Sequence, residues 1–258
     1  MMLSVNPGIA KWRDLVLNLV SKEVKLRHMG AALGFIWSLG NPLVVTLTYY
    51  VVFTYILPSN QDRFALHLVT GVVHWMLFNQ ILSQSCEWLV NNGSLIRKIR
   101  FPRILMPLAG ALTVFVFWGV AMGVYVVLFG LLGGVVTSAL VWYPVVLISF
   151  VALIIGAGLV LSVLQVVVRD TKHFVDMFLP LLFWFTPIVW MTSSLPEGIQ
   201  QIVAFNPIAP YFNSFAAILH DGVVPSTSDL AICIGLGFIS MAIGLLAFKK
   251  VDTVVDHL

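Results

Sequence analysis

Charge is what this sequence has least of. Asp, Glu, Lys and Arg make up 10% of its 258 residues, against 60% apolar residues, and the mean hydropathy is +1.00. A soluble domain carries about a quarter charged residues, so this composition excludes one and leaves a multi-span membrane protein. Cysteine is nearly as scarce. Cys86 and Cys233 lie in apolar segments and form no CxxC pair, so they read as buried thiols rather than as a disulfide framework. A secretory leader is not expected either: the first apolar run of spanning length begins near residue 31, with no small-residue cleavage site after a short apolar core.

Chemical motifs are missing too. Without a GxxxxGK[ST] loop the chain is not expected to hold ATP itself. There is no HExxH, no GxSxG and no paired-acid motif, so no catalytic residue is assigned. His67 and His74 share a helical face at a spacing of seven. Zinc pairs on helices sit four apart, so no metal is expected, and the two are read as facing a cavity or a neighbouring helix. The pI near 9.0 does not imply a nucleic-acid partner, because the basic residues flank apolar runs instead of forming one soluble face.

What is present is a series of apolar runs. About 20 such residues cross roughly 30 Å of hydrocarbon, and six stretches qualify: 33–57, 65–90, 104–132, 139–164, 174–193 and 230–248. Inside a bilayer each must be helical to pair its own backbone. The expected fold is an all-α integral membrane protein with six transmembrane helices. Thirteen of the fourteen Lys and Arg residues fall on one side of these spans, leaving Arg63 on the other. The positive-inside rule places the first side, with both termini, in the cytoplasm.

Three segments lie outside the spans. Residues 1–30 contain an amphipathic helix, with Lys11, Asp14, Asn18, Ser21 and Lys25 opposite Ile9, Trp12, Val16, Leu19 and Val20. It can lie in the membrane interface among lipids or pack on a soluble partner. Residues 31–250 form the membrane domain, and 251–258 a cytoplasmic tail. Within the domain, 194–229 is interrupted by Pro196, Pro207, Pro210 and Pro225. Short broken helices at the periplasmic face are expected there, since a seventh span would send Lys249 and Lys250 outside.

The acids near the membrane are informative by position. Glu87 and Asp176 sit at the cytoplasmic ends of spans 2 and 5, within reach of Arg97 and Lys98 or of Arg169 and Lys172, and are read as structural ion-pair partners. No acid lies mid-membrane, which argues against proton- or sodium-coupled transport. The loop NNGSLIRKIRFPRILMP, within 91–103 and just beyond, concentrates Arg97, Lys98, Arg100 and Arg103. Ser94 is expected to cap a short helix that Pro102 ends. Leu95, Ile96 and Ile99 form an apolar stripe on it, which calls for a covering surface, either a partner protein or the membrane.

Three segments together resemble the ABC-2-type permeases of bacterial polysaccharide exporters, the Wzm-like family of O-antigen and capsule exporters. LRHMGAALGFIWSLGNP (26–42) is similar to the family's approach to span 1, with Arg27, Leu33, Gly34, Trp37 and Pro42 matching and His28 in place of the usual Tyr. SLIRKIRFPRILMP is similar to its Leu-Ile-x-Lys-x-x-Phe-Pro-Arg loop. VRDTKHFVDMFLP, FTPIVW and FNPIAP resemble its Tyr-Arg-Asp, Ser-Pro-Ile and Asn-Pro series, with Val168 for Tyr and Thr186 for Ser.

The resemblance implies a homodimer in the bacterial inner membrane, forming one channel for a lipid-linked polysaccharide, most readily O-antigen. Two copies of a separate ABC ATPase, holding ATP and Mg, would drive it. Ser94, Leu95, Ile96, Arg97, Lys98, Ile99 and Arg100 would be the coupling helix seated in that ATPase. The periplasmic gate would include Pro196, Asn206, Pro207, Pro210 and Tyr211. A polar polymer with apolar C–H faces suits Tyr and Trp, so Ser38, Asn41, Thr48, Tyr49 and Tyr55 on span 1 are expected to line the channel, with Trp75, Phe78, Trp184 and Phe185 as further candidates for which a lipid-facing or interface-anchor place is the alternative. For the span 1 stripe, interhelical hydrogen bonds are the alternative. Capsule or teichoic acid as cargo, an integral-membrane glycosyl- or acyltransferase, and a non-catalytic scaffold are the competing readings.

Overall fold

The computed structural model of the protein describes residues 9–28, 44, 48, 51–52, 63–98, 101–191, 196, 198, 200, 203 and 205–250. Apart from four positions, the first predicted span lies outside them, as does the tail. Among the described residues every regular element is helical: α1 (Ile9–His28), α2 (Phe64–Ser85), α3 (Glu87–Val90), α4 (Gly93–Lys98), α5 (Leu105–Leu131), a 3-10 turn (Ser138–Trp142) leading into α6 (Tyr143–Val167), α7 (Thr171–Trp184), α8 (Ala209–Ala216) closing in a π turn (Ala217–Asp221), and α9 (Thr227–Phe248).

Local chemistry sets several boundaries. Arg63, in a left-handed conformation (φ 51°), ends the approach to α2 and reaches across to donate to the Gly133 carbonyl at 3.3 Å. Pro144 sits in the first turn of α6, where its missing N–H costs nothing. Ser226 caps α9 by accepting from the Asp229 amide at 3.1 Å, and Asp229 places negative charge at the helix N-terminus.

Among the described residues four elements are long and apolar enough to cross a membrane: α2, α5, the 3-10 turn with α6, and α9. They are not equivalent. In its most apolar stretch α2 is 78% buried, against 22% for α5 and α9. The helix with the most polar side chains is therefore the central one, because a lipid-facing surface must be apolar and an enclosed one need not be. The fifth predicted stretch, 174–193, forms α7 of 14 residues, about 21 Å long and short of the roughly 30 Å of hydrocarbon. Its remainder leaves the helix but runs on along α2: Trp75 meets Phe183, and further on Ile188 packs against Gly71, where an added Cβ would meet the Ile188 side chain at 2.8 Å.

The most extensive helix contact joins α6 to α9. Gly156 and Gly244 face each other so closely that a Cβ on either would collide with the opposite backbone. Ser149 donates to the Cys233 carbonyl at 2.5 Å, and Ser240 to that of Leu153 at 2.8 Å. Close approach with small residues and hydroxyl cross-bonds is how membrane helices associate without a hydrophobic drive. Gly158 packs on Ser85 and Trp88, whereas Gly119 and Gly123 of α5 face open space. Beside this pair, α8 buries Tyr211, Phe212 and Phe215 against Phe150, the two Phe rings edge-on and the Tyr ring tilted.

Helix α1 has a neighbour within the chain itself. It packs on α5 of the same chain, with Val16 buried and Leu19 joined to a second cluster of Leu89, Ile96, Met106, Leu159, Val166 and Phe248. Lys11, Asp14, Asn18, Ser21 and Lys25 stay exposed.

Candidate functional site

Two regions carry the residues singled out in the sequence. The first is the basic end. After α2 the chain turns through α3, and the Asn92 carbonyl accepts from the Leu95 and Ile96 amides, both at 3.0 Å. Helix α4 thus starts at Gly93, which puts Ser94 inside its first turn and Asn92 at the cap position expected for Ser94. The apolar stripe also has a covering. Ile96 is buried and Leu95 packs beside it, against α5, α6 and the end of α9. Those two residues therefore serve the chain's own fold. The side chains of Ser94, Arg97 and Lys98, and all of Ile99 and Arg100, lie outside the described residues.

Of the two acids, Glu87 pairs with Lys172, joining α3 to α7. Asp176 instead accepts from Ser83 at 2.5 Å, so its partner is a hydroxyl of α2 and not the expected cation. Between α1, the foot of α2 and α3 lies a cleft of about 320 Å³, lined by Leu19, Lys22, Glu23, Gln84, Glu87, Trp88, Asn91 and Asn92. Asn91 donates to Glu87 at 3.4 Å and Asn92 to the Trp88 carbonyl at 3.0 Å.

The second region is the break between α7 and α8, which contains two of the recognised segments. A helix end inside a membrane must satisfy its last carbonyls, and three side chains do so here. Thr186 donates to Leu182 at 2.7 Å, Trp190 Nε1 to Trp184 at 3.1 Å, and Asn206 Nδ2 to Phe185 at 2.9 Å. Asn206 also reaches the Thr186 hydroxyl at 3.2 Å, and its own oxygen accepts from the Ile208 amide at 3.1 Å. FTPIVW and FNPIAP thus form one clamp, with Asn206 at its centre. Around it Trp184 and Phe185 are 57% and 59% exposed, and Phe205 is 88% exposed.

The other expected gate residues divide. Pro196 and Pro207 are exposed and Pro210 opens α8. Tyr211 is fully buried and donates to the Cys233 carbonyl at 2.6 Å, tying α8 to α9. Among the expected lining residues, Ser38, Asn41, Tyr49 and Tyr55 lie outside the described residues, and exposed Thr48 donates to Val44 of its own turn at 2.8 Å. Trp75 and Phe78 are corrected. Both are buried in the chain's core against Phe183, Phe212 and Phe150, because they point from α2 toward α7, α8 and α6 and present no ring to a path.

His74 is fully enclosed. Its Nδ1 lies 2.7 Å from the Thr70 carbonyl, which can only accept, so Nδ1 carries the proton and Nε2 accepts from the Tyr143 hydroxyl at 3.0 Å. Thr70 extends the chain to Tyr125 at 2.8 Å. His67 lies edge-on to His220, with ring centres 5.7 Å apart. The two histidines thus face neighbouring helices. Among the described residues no three His, Cys, Asp or Glu side chains converge as metal ligands would.

A polar stripe runs down α2 and on through α3. Asn79, Gln80, Ser83, Gln84, Glu87 and Asn91 recur at steps of three and four and are all partly or fully exposed. That periodicity, polar within an apolar run, was available as a signal.

Fold and sites define a polytopic helical membrane protein with a compact basic end and an aromatic-rimmed break at the other. Residues 15–220 match the ABC-2 type transporter family, and the chain belongs to it. It is 27% identical over 238 residues to each of two Klebsiella pneumoniae proteins named O-antigen export system permease protein RfbA, covering 92% of both chains in each case. A Myxococcus xanthus protein of the same name is 26% identical over 222 residues, covering 85% of each chain.

Proposed function

We propose that this chain is the permease subunit of an ATP-driven exporter that moves a lipid-linked polysaccharide of the O-antigen type from cytoplasm to periplasm. The observation that carries the reading is likeness over nearly the full length of both chains to permeases named for O-antigen export. A shared domain alone would reach only the family.

The finer features follow from that reading together with the residues. Two further spans, the 33–57 stretch and α7 with its non-helical continuation, would bring the four described ones to six. The basic end would then face the cytoplasm, and ATP would be hydrolysed by a separate ABC ATPase. Two permease copies would form the channel. Arg97, Lys98 and Arg100 are the docking residues, while Leu95 and Ile96 hold α4 to the membrane domain. Trp184 and Phe185, with the span 1 stripe, line the path, and the Asn206 clamp belongs to the periplasmic gate.

The test is co-purification from native membranes in mild detergent, combined with assay of surface polysaccharide. An ABC ATPase should accompany the native chain and be lost with Arg97→Glu/Lys98→Glu, while the permease stays in the membrane. Surface polysaccharide should disappear with it. Unchanged polysaccharide in a strain lacking the chain would overturn the reading.

A further inference from the structure

The polar stripe of α2 poses a physical question. A face toward lipid would be apolar, since an unpaired amide in hydrocarbon costs several kcal/mol. This face instead carries three carboxamides, Asn79, Gln80 and Gln84, the Ser83 hydroxyl that donates to Asp176 of α7, and, at its foot, Glu87. It runs down into the cleft between α1 and α3. Polar, partly exposed side chains at membrane depth mark a hydrophilic path.

The cleft's chemistry narrows what occupies it. Lys22 and Glu23 face it from α1, and Glu87 from α3, with Lys172 already engaged by Glu87. A phosphate there would meet two carboxylates and one unengaged ammonium, which is poor anion chemistry. A hydrocarbon chain would strip water from three carboxamides without replacing their hydrogen bonds. A neutral polyhydroxylated ring fits. Gln84, Asn91 and Asn92 carry both donors and acceptors, Asn91 and Asn92 each positioned by one bond within the chain, and Glu87 is held by Lys172 and Asn91 as an oriented acceptor. The volume of about 320 Å³ falls at the small end of the roughly 300–1,000 Å³ typical of ligand sites.

We propose that this cleft is a sugar-binding subsite at the cytoplasmic foot of the permease, where hydroxyls of the polymer bond to Gln84, Glu87, Asn91 and Asn92. It rests on the reading of the chain as a polysaccharide permease. Exposed Asn91 is the natural reporter.

The experiment places photoreactive benzoylphenylalanine at position 91 of the full chain in its native host, and separately at 185 and at 126. Val126 is 62% exposed on α5, away from the cleft. After illumination the purified permease is probed for attached glycan, for ATPase and for phospholipid. Glycan is expected at 91 and at 185 and absent at 126. Glycan at 185 alone overturns the subsite and leaves the export reading standing. Glycan at neither position, with polysaccharide still reaching the surface, overturns both. Only ATPase or phospholipid at 91 makes the cleft a protein or lipid contact and sinks the subsite. A second arm uses Gln84→Ala with Asn91→Ala. Export should fall about tenfold, as expected for losing two hydrogen bonds to the ligand, at an unchanged amount of permease in the membrane. Unchanged export would overturn the proposal.

Discussion

Trp75 with Phe78, and Trp184 with Phe185, are two aromatic pairs that look alike in sequence. Each combines a Trp and a Phe in an apolar stretch. In the fold they part. The first pair is 9% and 4% exposed within the core, the second 57% and 59% exposed beside the break after α7. The difference shows that an aromatic ring in a membrane protein says little until its neighbours are known. A ring facing α6 and α8 packs, and one on the open side of α7 is available to a ligand, to lipid or to a second copy.

Substitution separates the pairs by size of effect. Trp75→Ala or Phe78→Ala should cost about 3–5 kcal/mol, as large-to-small core changes do, and should deplete the permease from the membrane. Thermal unfolding of the detergent-purified protein reads this directly. Next comes the clamp between the pairs. Asn206→Ala leaves the Phe185 carbonyl without its donor and should cost about 1–3 kcal/mol, with a matching fall in the unfolding midpoint. Trp184→Ala with Phe185→Ala should move that midpoint far less than Trp75→Ala does, yet reduce surface polysaccharide severalfold on a gel. Equal destabilisation by the two pairs would erase the comparison. The smallest effect belongs to Lys172→Met. Its pair with Glu87 is 34% exposed on the Lys side and 41% on the Glu side, so about 0–1 kcal/mol is at stake, and only the export assay should register the loss of Glu87's orientation.

The legible parts of the protein were those that obey the bilayer directly. Four of the apolar stretches appear as helices close to the expected bounds, because length and apolarity are set by membrane thickness and not by neighbours. Glu87 was expected to find a cation, and Lys172 supplies one. The break before α9 was announced by its prolines. What failed to be legible depended on which face met which helix. Leu95 and Ile96 looked like a surface awaiting a partner, but the chain folds α1, α5, α6 and α9 around them. Asp176 had two cations nearby in sequence and took a hydroxyl from α2. The polar stripe of α2 was visible as a periodicity, but its meaning needed the cleft at its foot.

By itself the sequence determined that this chain lives in a membrane as helices, which end is basic and, through its recognised segments, which family it joins. Composition and spacing suffice for those because solvent imposes them on each segment separately. Only the tertiary structure decided that the most polar spanning helix is the central one, that Asn206 closes the carbonyls at the end of α7, and that α1 rests on α5. Each is a contact between segments far apart in the chain, fixed by packing and hydrogen-bond satisfaction among them, which no single segment carries.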